Sequence, residues 1–258
     1  MRLIDSHSHI DFPAFDGDIS KVLNDAKQAG IQEIIVSSTI AKRWPAIKKL
    51  VDENYYCHAA YGLHPMFMDE YSPHHLDELS RWVEQEKPVA VGEIGLDFFI
   101  PLADGEKSKT AQRSLFISQL ELADQFNLPV IIHSRKSLDV VLKHLRTFPN
   151  LRGSIHSFSG SEQQAKQLID LGFYLGFGGP ITYTRATRLR KLASNLPLES
   201  LLLETDSPDQ PDVTHYGERN EPAYLPIVAQ TIAELRGIHV QRVAEVTTKN
   251  AQTLFRFN

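Results

Sequence analysis

An α/β fold of the TIM-type (β/α)8 barrel class is predicted by three observations on this sequence. Short β-branched or apolar runs alternate with longer stretches of helical period from the first residues almost to the last. Eight such runs can be counted, each followed by a helical stretch, and they are nearly continuously apolar, as strands covered on both faces are. The glycine fingerprint of a dinucleotide-binding open sheet is missing. A chain of 258 residues is long for one domain, but closed α/β barrels reach that length as one unit, and no repeat, low-complexity segment or linker divides residues 1–258.

Taken in order, the first strand is expected over 2–9 (RLIDSHSH), followed by a helix over 19–29 with Val22, Leu23 and Ala26 on one stripe. The second strand, 33–39 (EIIVSST), leads to a helix over 45–54, and the third, 55–63 (YYCHAAYGL), to a helix over 73–86. The fourth, 89–94 (VAVGEI), precedes a helix over 112–126, in which Leu115, Ile117, Leu120, Leu122 and Ala123 mostly face inward. The fifth, sixth and seventh strands, 130–133 (VIIH), 153–156 (GSIH) and 174–177 (YLGF), alternate with helices over 137–148, 161–171 and 186–195. The eighth, 201–205 (LLLET), is followed by helices over 222–236 and 240–255. The loosest stretches, 97–109 and 208–220, then read as loops on the active face.

With 42% hydrophobic and 23% charged residues the composition is that of an ordinary globular chain. A formal net charge of -5 excludes an extended basic surface that coats nucleic acid, while leaving room for a local basic pocket. The N-terminus MRLIDSHSHI lacks the apolar core of a signal peptide, and no apolar stretch approaches the roughly 20 residues that span a bilayer. A soluble cytoplasmic protein without membrane partner or obligate protein partner is therefore expected. The single Cys57 lies in a strand-like run and reads as a small buried hydrophobe.

Side chains alternate along a strand, so Asp5, His7 and His9 project to one side and Ser6 and Ser8 to the other. Two imidazoles directed at one place from the end of an opening strand read as half of a metal site. Asp5, one step deeper, reads either as a ligand or as a partner that holds an imidazole. A barrel assembles its site from the C-terminal ends of its strands. Here those ends are polar: Glu93 in AVGEIGLD, His133 in VIIHSR, His156 in SIHSFSG and Asp206 in LLLETDSP. Four imidazoles and two carboxylates exceed one tetrahedral shell that must also admit a water, which points to two divalent cations. Glu93, between the two histidine pairs around the barrel, is placed to bridge them. The imidazoles suit Zn2+ or Mn2+, and the carboxylates with a phosphate substrate suit Mg2+.

Other residues carry two readings each. His64 in GLHP either polarises a substrate oxygen or fixes the loop ahead of Pro65. Arg135, two residues past His133 and on its face by parity, either clamps a substrate phosphate or pairs with an acidic loop. Arg219 in GERNEP is a further substrate-binding candidate, whereas its neighbour Asn220 reads as a helix N-cap. Asp97 either orients a neighbouring group or merely ends GLD, in which Gly95, like Gly92, serves close backbone packing. Phe67, Tyr71, Phe98 and Phe99 either stack an unpaired base or cover apolar surface.

The motifs DSHSHID, GLHP, GEIGLD, VIIHSR, IHSFSG, LETDSP and RNEP together resemble the TatD-family deoxyribonucleases and hydrolases, a branch of the amidohydrolase superfamily, over nearly the whole chain. The resemblance implies one metal among His7, His9, Glu93 and Asp206 and another among Glu93, His133 and His156. It departs from the family pattern at Ser157, where many relatives carry Cys, and in DQPDVTHYGERNEP, both on the substrate side. The expected chemistry is hydrolysis by a water that the cations activate, with Asp206 taking its proton and relaying it to the leaving group. Neither a GxSxG elbow nor a Cys/His pair suggests a covalent route. As substrate the resemblance implies DNA, trimmed as a single strand from its 3′ end. A small amide, lactone or phosphoester is the alternative, and a scaffold without turnover has no use for an open, hydrated site.

Overall fold

The computed structural model describes residues 1–99 and 105–257. Eight strands lie in one parallel sheet in chain order: β1 (Leu3–Ser8), β2 (Ile31–Ser37), β3 (Cys57–Tyr61), β4 (Ala90–Asp97), β5 (Val130–Arg135), β6 (Gly153–Ile155), β7 (Phe173–Phe177) and β8 (Leu201–Leu203). Around it run α1 (Ile19–Gln28), α2 (Trp44–Glu53), α3 (His74–Glu86), α4 (Glu106–Gln125), α5 (Leu138–Leu145), α6 (Glu162–Asp170), α7 (Thr187–Asn195), α8 (Leu225–Arg236) and α9 (Val240–Phe255). This is the expected TIM-type barrel. Its seam between β1 and the end of β8 is tied by Asp206 N–H to His7 C=O (3.0 Å), His9 N–H to Ser207 C=O (2.7 Å) and the Ser6 hydroxyl to Leu203 C=O (2.9 Å). Among the described residues no helix is long and apolar enough to cross a membrane.

Apolar residues fill two layers. Leu3, Ile34, Val91, Ile132, Leu175 and Leu201 face the helices, while Ile4, Ile35, Ala60, Ala90, Ile131 and Leu202 form an inner cluster with Ala251, Leu254 and Phe255 of α9. Each fully buried aliphatic contributes about 1.5–3 kcal/mol to folding. The inner cluster leaves the opposite, C-terminal end of the barrel to polar side chains. Cys57 is buried and its thiol pushed up to about 12 by desolvation, so it packs and does not react.

Two register shifts aim functional side chains. Asp5 lies opposite Ile34 and Ser8 opposite Val36, so Ser6 and His7 together face the single Ile35. In β4, Val91 pairs with Val130 and Ile94 with Ile132, so Gly92 and Glu93 together face Ile131. Such bulges re-aim side chains beside active sites. Simple alternation would group Asp5 with His7 and His9. Instead Asp5 accepts from Thr205 N–H (2.9 Å) and the Thr205 hydroxyl (2.6 Å), bracing the seam.

Several boundaries differ from expectation. β4 runs to Asp97 rather than 94 because Gly95, Leu96 and Asp97 go on pairing with His133, Ser134 and Arg135. α4 starts at Glu106 rather than 112, its first turns being polar and without an apolar stripe. The stretch 222–236 opens as a 3-10 turn, Pro222–Tyr224, before α8. Of the loop expected over 97–109, residues 100–104 lie outside the described residues.

Candidate metal centre

Five strand ends and the turn beyond β8 deliver their polar side chains to one cavity of about 540 Å³ at the C-terminal mouth of the barrel. His7 Nε2, His9 Nε2, Glu93 Oε2 and Asp206 Oδ1 converge. His7 Nε2 is 3.1 Å from His9 Nε2, 3.3 Å from Glu93 and 3.3 Å from Asp206, and His9 Nε2 is 3.2 and 3.5 Å from the same two oxygens. A regular tetrahedron of ligand atoms about 2.05 Å from its centre has edges of about 3.3 Å. The donor set and its spacing therefore fit a divalent ion. A second group gathers on the other oxygen: Glu93 Oε1 is 3.2 Å from His133 Nδ1 and 2.9 Å from His156 Nε2, which are 3.2 Å apart. His7, His156 and Asp206 also bring ligand atoms together, so the two groups share a boundary as well as Glu93.

Three of the four candidate-ligand rings are held from behind, which frees the inward nitrogen as a lone-pair donor. His9 Nδ1 donates to Ser37 C=O (2.7 Å), His7 Nδ1 meets the Ser37 hydroxyl (3.1 Å), and His133 Nε2 donates to Asp97 Oδ2 (3.0 Å). Asp97 thus has the orienting role, and Gly95 makes it reachable: a Cβ there would lie 2.0 Å from His133 C=O. His156 Nδ1 is buried without a hydrogen-bond partner among the described residues, 3.8 Å from Glu204 Oε1. His64 Nδ1 accepts Met66 N–H (3.1 Å), so its proton sits on Nε2 and donates to Glu93 Oε1 (3.0 Å). The loop-fixing reading of His64 fits this geometry, since it caps the turn at Pro65, while its Nε2–H is engaged by the central carboxylate.

Electrostatics match this arrangement. Burial would raise the Glu93 carboxyl, but the imidazoles of His64, His156 and His7 hold it well below the usual carboxylate range. Burial likewise opposes Asp206, whose bond to His7 and the charges of His156 and His7 keep it low. Both are therefore ionised at neutral pH, as ligands must be. His64 is brought down to about 4, by burial against the pull of Glu93, and stays neutral. Asp206, Ser157 and Gln210 all have left-handed backbone (φ 59°, 45° and 51°), an uncommon state for these residues that clusters at functional sites.

Two groups were not singled out from sequence. Gln210 donates its amide to Asp206 Oδ2 and accepts the Ser157 hydroxyl (2.9 Å), so it fixes the carboxylate's rotation. Glu204 is buried, pushed up to about 8 by desolvation, and accepts Ser157 N–H at 2.5 Å. Its signal was the one used for Asp206, an acid at a strand end after LLL. Gly176 makes its space: a Cβ there would lie 2.1 Å from Glu204 Oε2 and 2.6 Å from Cδ. Gly176→Ala is accordingly expected to cost about 1–3 kcal/mol by overpacking, measured as a lower midpoint of thermal unfolding. An unchanged midpoint would mean that Glu204 is free to move aside.

Arg135 lines the cavity wall, with its guanidinium 3.7 Å above the Phe99 ring and no ion pair among the described residues. Arg219 does not join it. Its donors are taken by Asp18 (2.9 and 2.7 Å), Glu221 (2.6 Å) and Ala14 C=O, and it packs over Phe15, so the expected substrate contact is replaced by a clamp between loops. Asn220 caps no helix; its amide donates to Thr205 C=O (2.7 Å) and Asp209 C=O (2.8 Å), holding the 208–220 loop against the end of β8. Of the aromatics, Phe67 lines the cavity, joined by Phe12 and Phe158, while Tyr71 and Phe98 pack against the core.

A family model described as TatD related DNase matches residues 4–256. The chain is 41% identical over 257 residues to the uncharacterized metal-dependent hydrolase YjjV of Escherichia coli K12, covering 98% of each protein. It is 34% identical to the mouse putative deoxyribonuclease TATDN3, covering 99% of this chain and 88% of that protein. The crystal structure of the TatD homolog YjjV from Escherichia coli K12 superposes with a TM-score of 0.94 at 40% identity, covering 100% of this chain and 99% of that one.

Proposed function

This chain belongs to the TatD related DNase family of metal-dependent hydrolases, and on that premise we propose that it cleaves phosphodiesters of single-stranded DNA from the 3′ end. The observation that carries the reading is Glu93, whose two oxygens face different imidazole sets. His7, His9, Glu93 and Asp206 would hold one divalent ion, and Glu93, His133 and His156 a second. Such ions supply Lewis acidity to the oxygens they touch.

The chain's own groups do the rest. Asp206 accepts a proton from the water that attacks phosphorus and returns it to the 3′ oxygen of the penultimate nucleotide as the P–O bond breaks. Gln210 keeps that carboxylate aimed. His64 steadies Glu93 by its Nε2–H, and Arg135 meets a phosphate oxygen at the cavity wall. A recessed cavity of this size admits a strand end more readily than a base-paired backbone. The mouse relative's description as a putative deoxyribonuclease points the same way.

End-labelled single strands, duplexes and closed single-stranded circles, each incubated with Mg2+, Mn2+ or Zn2+, test the reading. Single strands should shorten from the 3′ end and circles should stay intact. Efficient cutting of circles would overturn end-dependent action. Inactivity on all DNA, with turnover of a small ester or lactone, would give the site to the small-molecule class.

A further inference from the structure

The cavity at the metal centre does not stop at the barrel mouth. A second cavity, of about 440 Å³, shares Ser134, Phe158 and Ser159 with it and runs outward between the end of β5 and the N-terminal end of α7. Lys136 and Arg188 line this extension. Neither forms an ion pair among the described residues, although acids outnumber bases 32 to 27 in the chain. Arg188 is held in place by a bond to Ser159 C=O (2.7 Å), and Lys136 and Arg135 both approach the Phe99 ring (5.6 and 3.7 Å). Asp139, the carboxylate in the lining, is engaged by the Gln164 amide (2.7 Å). Ser134, Ser137, Ser159 and Ser161 supply neutral hydroxyls beside the cations.

Resting on the function proposed above, we infer that this groove is a track for the sugar-phosphate backbone of the uncleaved part of the substrate strand, with Lys136 and Arg188 each holding one phosphate. Lys136 follows His133 by three residues, at most about 10 Å of chain. The track therefore begins within one or two nucleotides of the metal centre. A strand of several nucleotides engages it, and a dinucleotide at the metal centre does not. Two charged contacts, rather than a basic stripe, accord with the net charge of -5.

The test is equilibrium binding of fluorescent phosphorothioate oligothymidylates, a dinucleotide and a hexanucleotide, to the metal-loaded protein. Lys136→Gln and Arg188→Gln should each weaken hexanucleotide binding about three- to tenfold and leave the dinucleotide unaffected, and the double variant should lower the salt slope by about 1.4. Lys191→Gln, on α7 but outside the groove lining, serves as the charge control and should bind as the unaltered protein does. The groove is overturned if the two lining variants bind the hexanucleotide normally, or if Lys191→Gln weakens it equally. DNA cleavage with unaffected variant binding would remove the track and keep the reaction. Groove-dependent binding without cleavage of any DNA would remove the reaction and keep the track.

Discussion

Asp206→Asn is expected to lower kcat by about 10²–10⁴-fold while metal content stays near that of the unaltered protein. The asparagine carbonyl can replace Oδ1 opposite His7 and His9, so a donor atom remains. Its amide nitrogen would then face Gln210, whose own amide can turn to accept from it, with the Ser157 hydroxyl reorienting in step. The network survives, but the amide cannot take a proton from water. Elemental analysis and steady-state rates at saturating metal separate the two effects. Near-normal turnover under those conditions would remove Asp206 from the base role.

Most of the barrel was readable because its strands are apolar on both faces and the helices between them carry one stripe each. What escaped was information held between elements. The extension of β4 to Asp97 depends on pairing with β5, and GLD alone resembles a turn. The polar start of α4 has no periodic signal, yet the helix goes on to bury Gln112 and Gln119, which hold Asp97 N–H (2.9 Å) and Leu63 N–H (2.7 Å) at two strand ends.

The six candidate ligands were found because a barrel gathers strand-end residues whatever the details of register. Alternation alone would nonetheless have misplaced Asp5, since the bulge after it sets His7 on a different face. Arg219 failed for the opposite reason. Its partner Asp18 lies 201 residues away, and nothing in GERNEP announces a bidentate clamp. Glu204 acts through Gly176 and Ser157, which only the folded chain brings near, and Gln210 ties Asp206, four residues before it, to Ser157, 53 residues away.

Glu93→Gln should disable the metal centre more completely than the loss of any one imidazole. The carboxylate serves both donor groups, with Oε2 3.3 and 3.2 Å from His7 and His9 and Oε1 3.2 and 2.9 Å from His133 and His156. A glutamine keeps one oxygen. Whichever way its amide turns, the NH2 faces one imidazole set and donates into the lone pairs that a cation needs. The negative charge that offsets two cations is also lost, leaving Asp206 as the one carboxylate among these six groups. Loss of a group that merely orients a ligand costs about 10–100-fold in metal affinity, and removal of a charged shared ligand should exceed that. Titration with Mn2+ or Zn2+ should therefore find at most half the metal equivalents of the unaltered protein, together with negligible hydrolysis. A full complement of tightly bound metal in Glu93→Gln would show that Glu93 does not join the two groups.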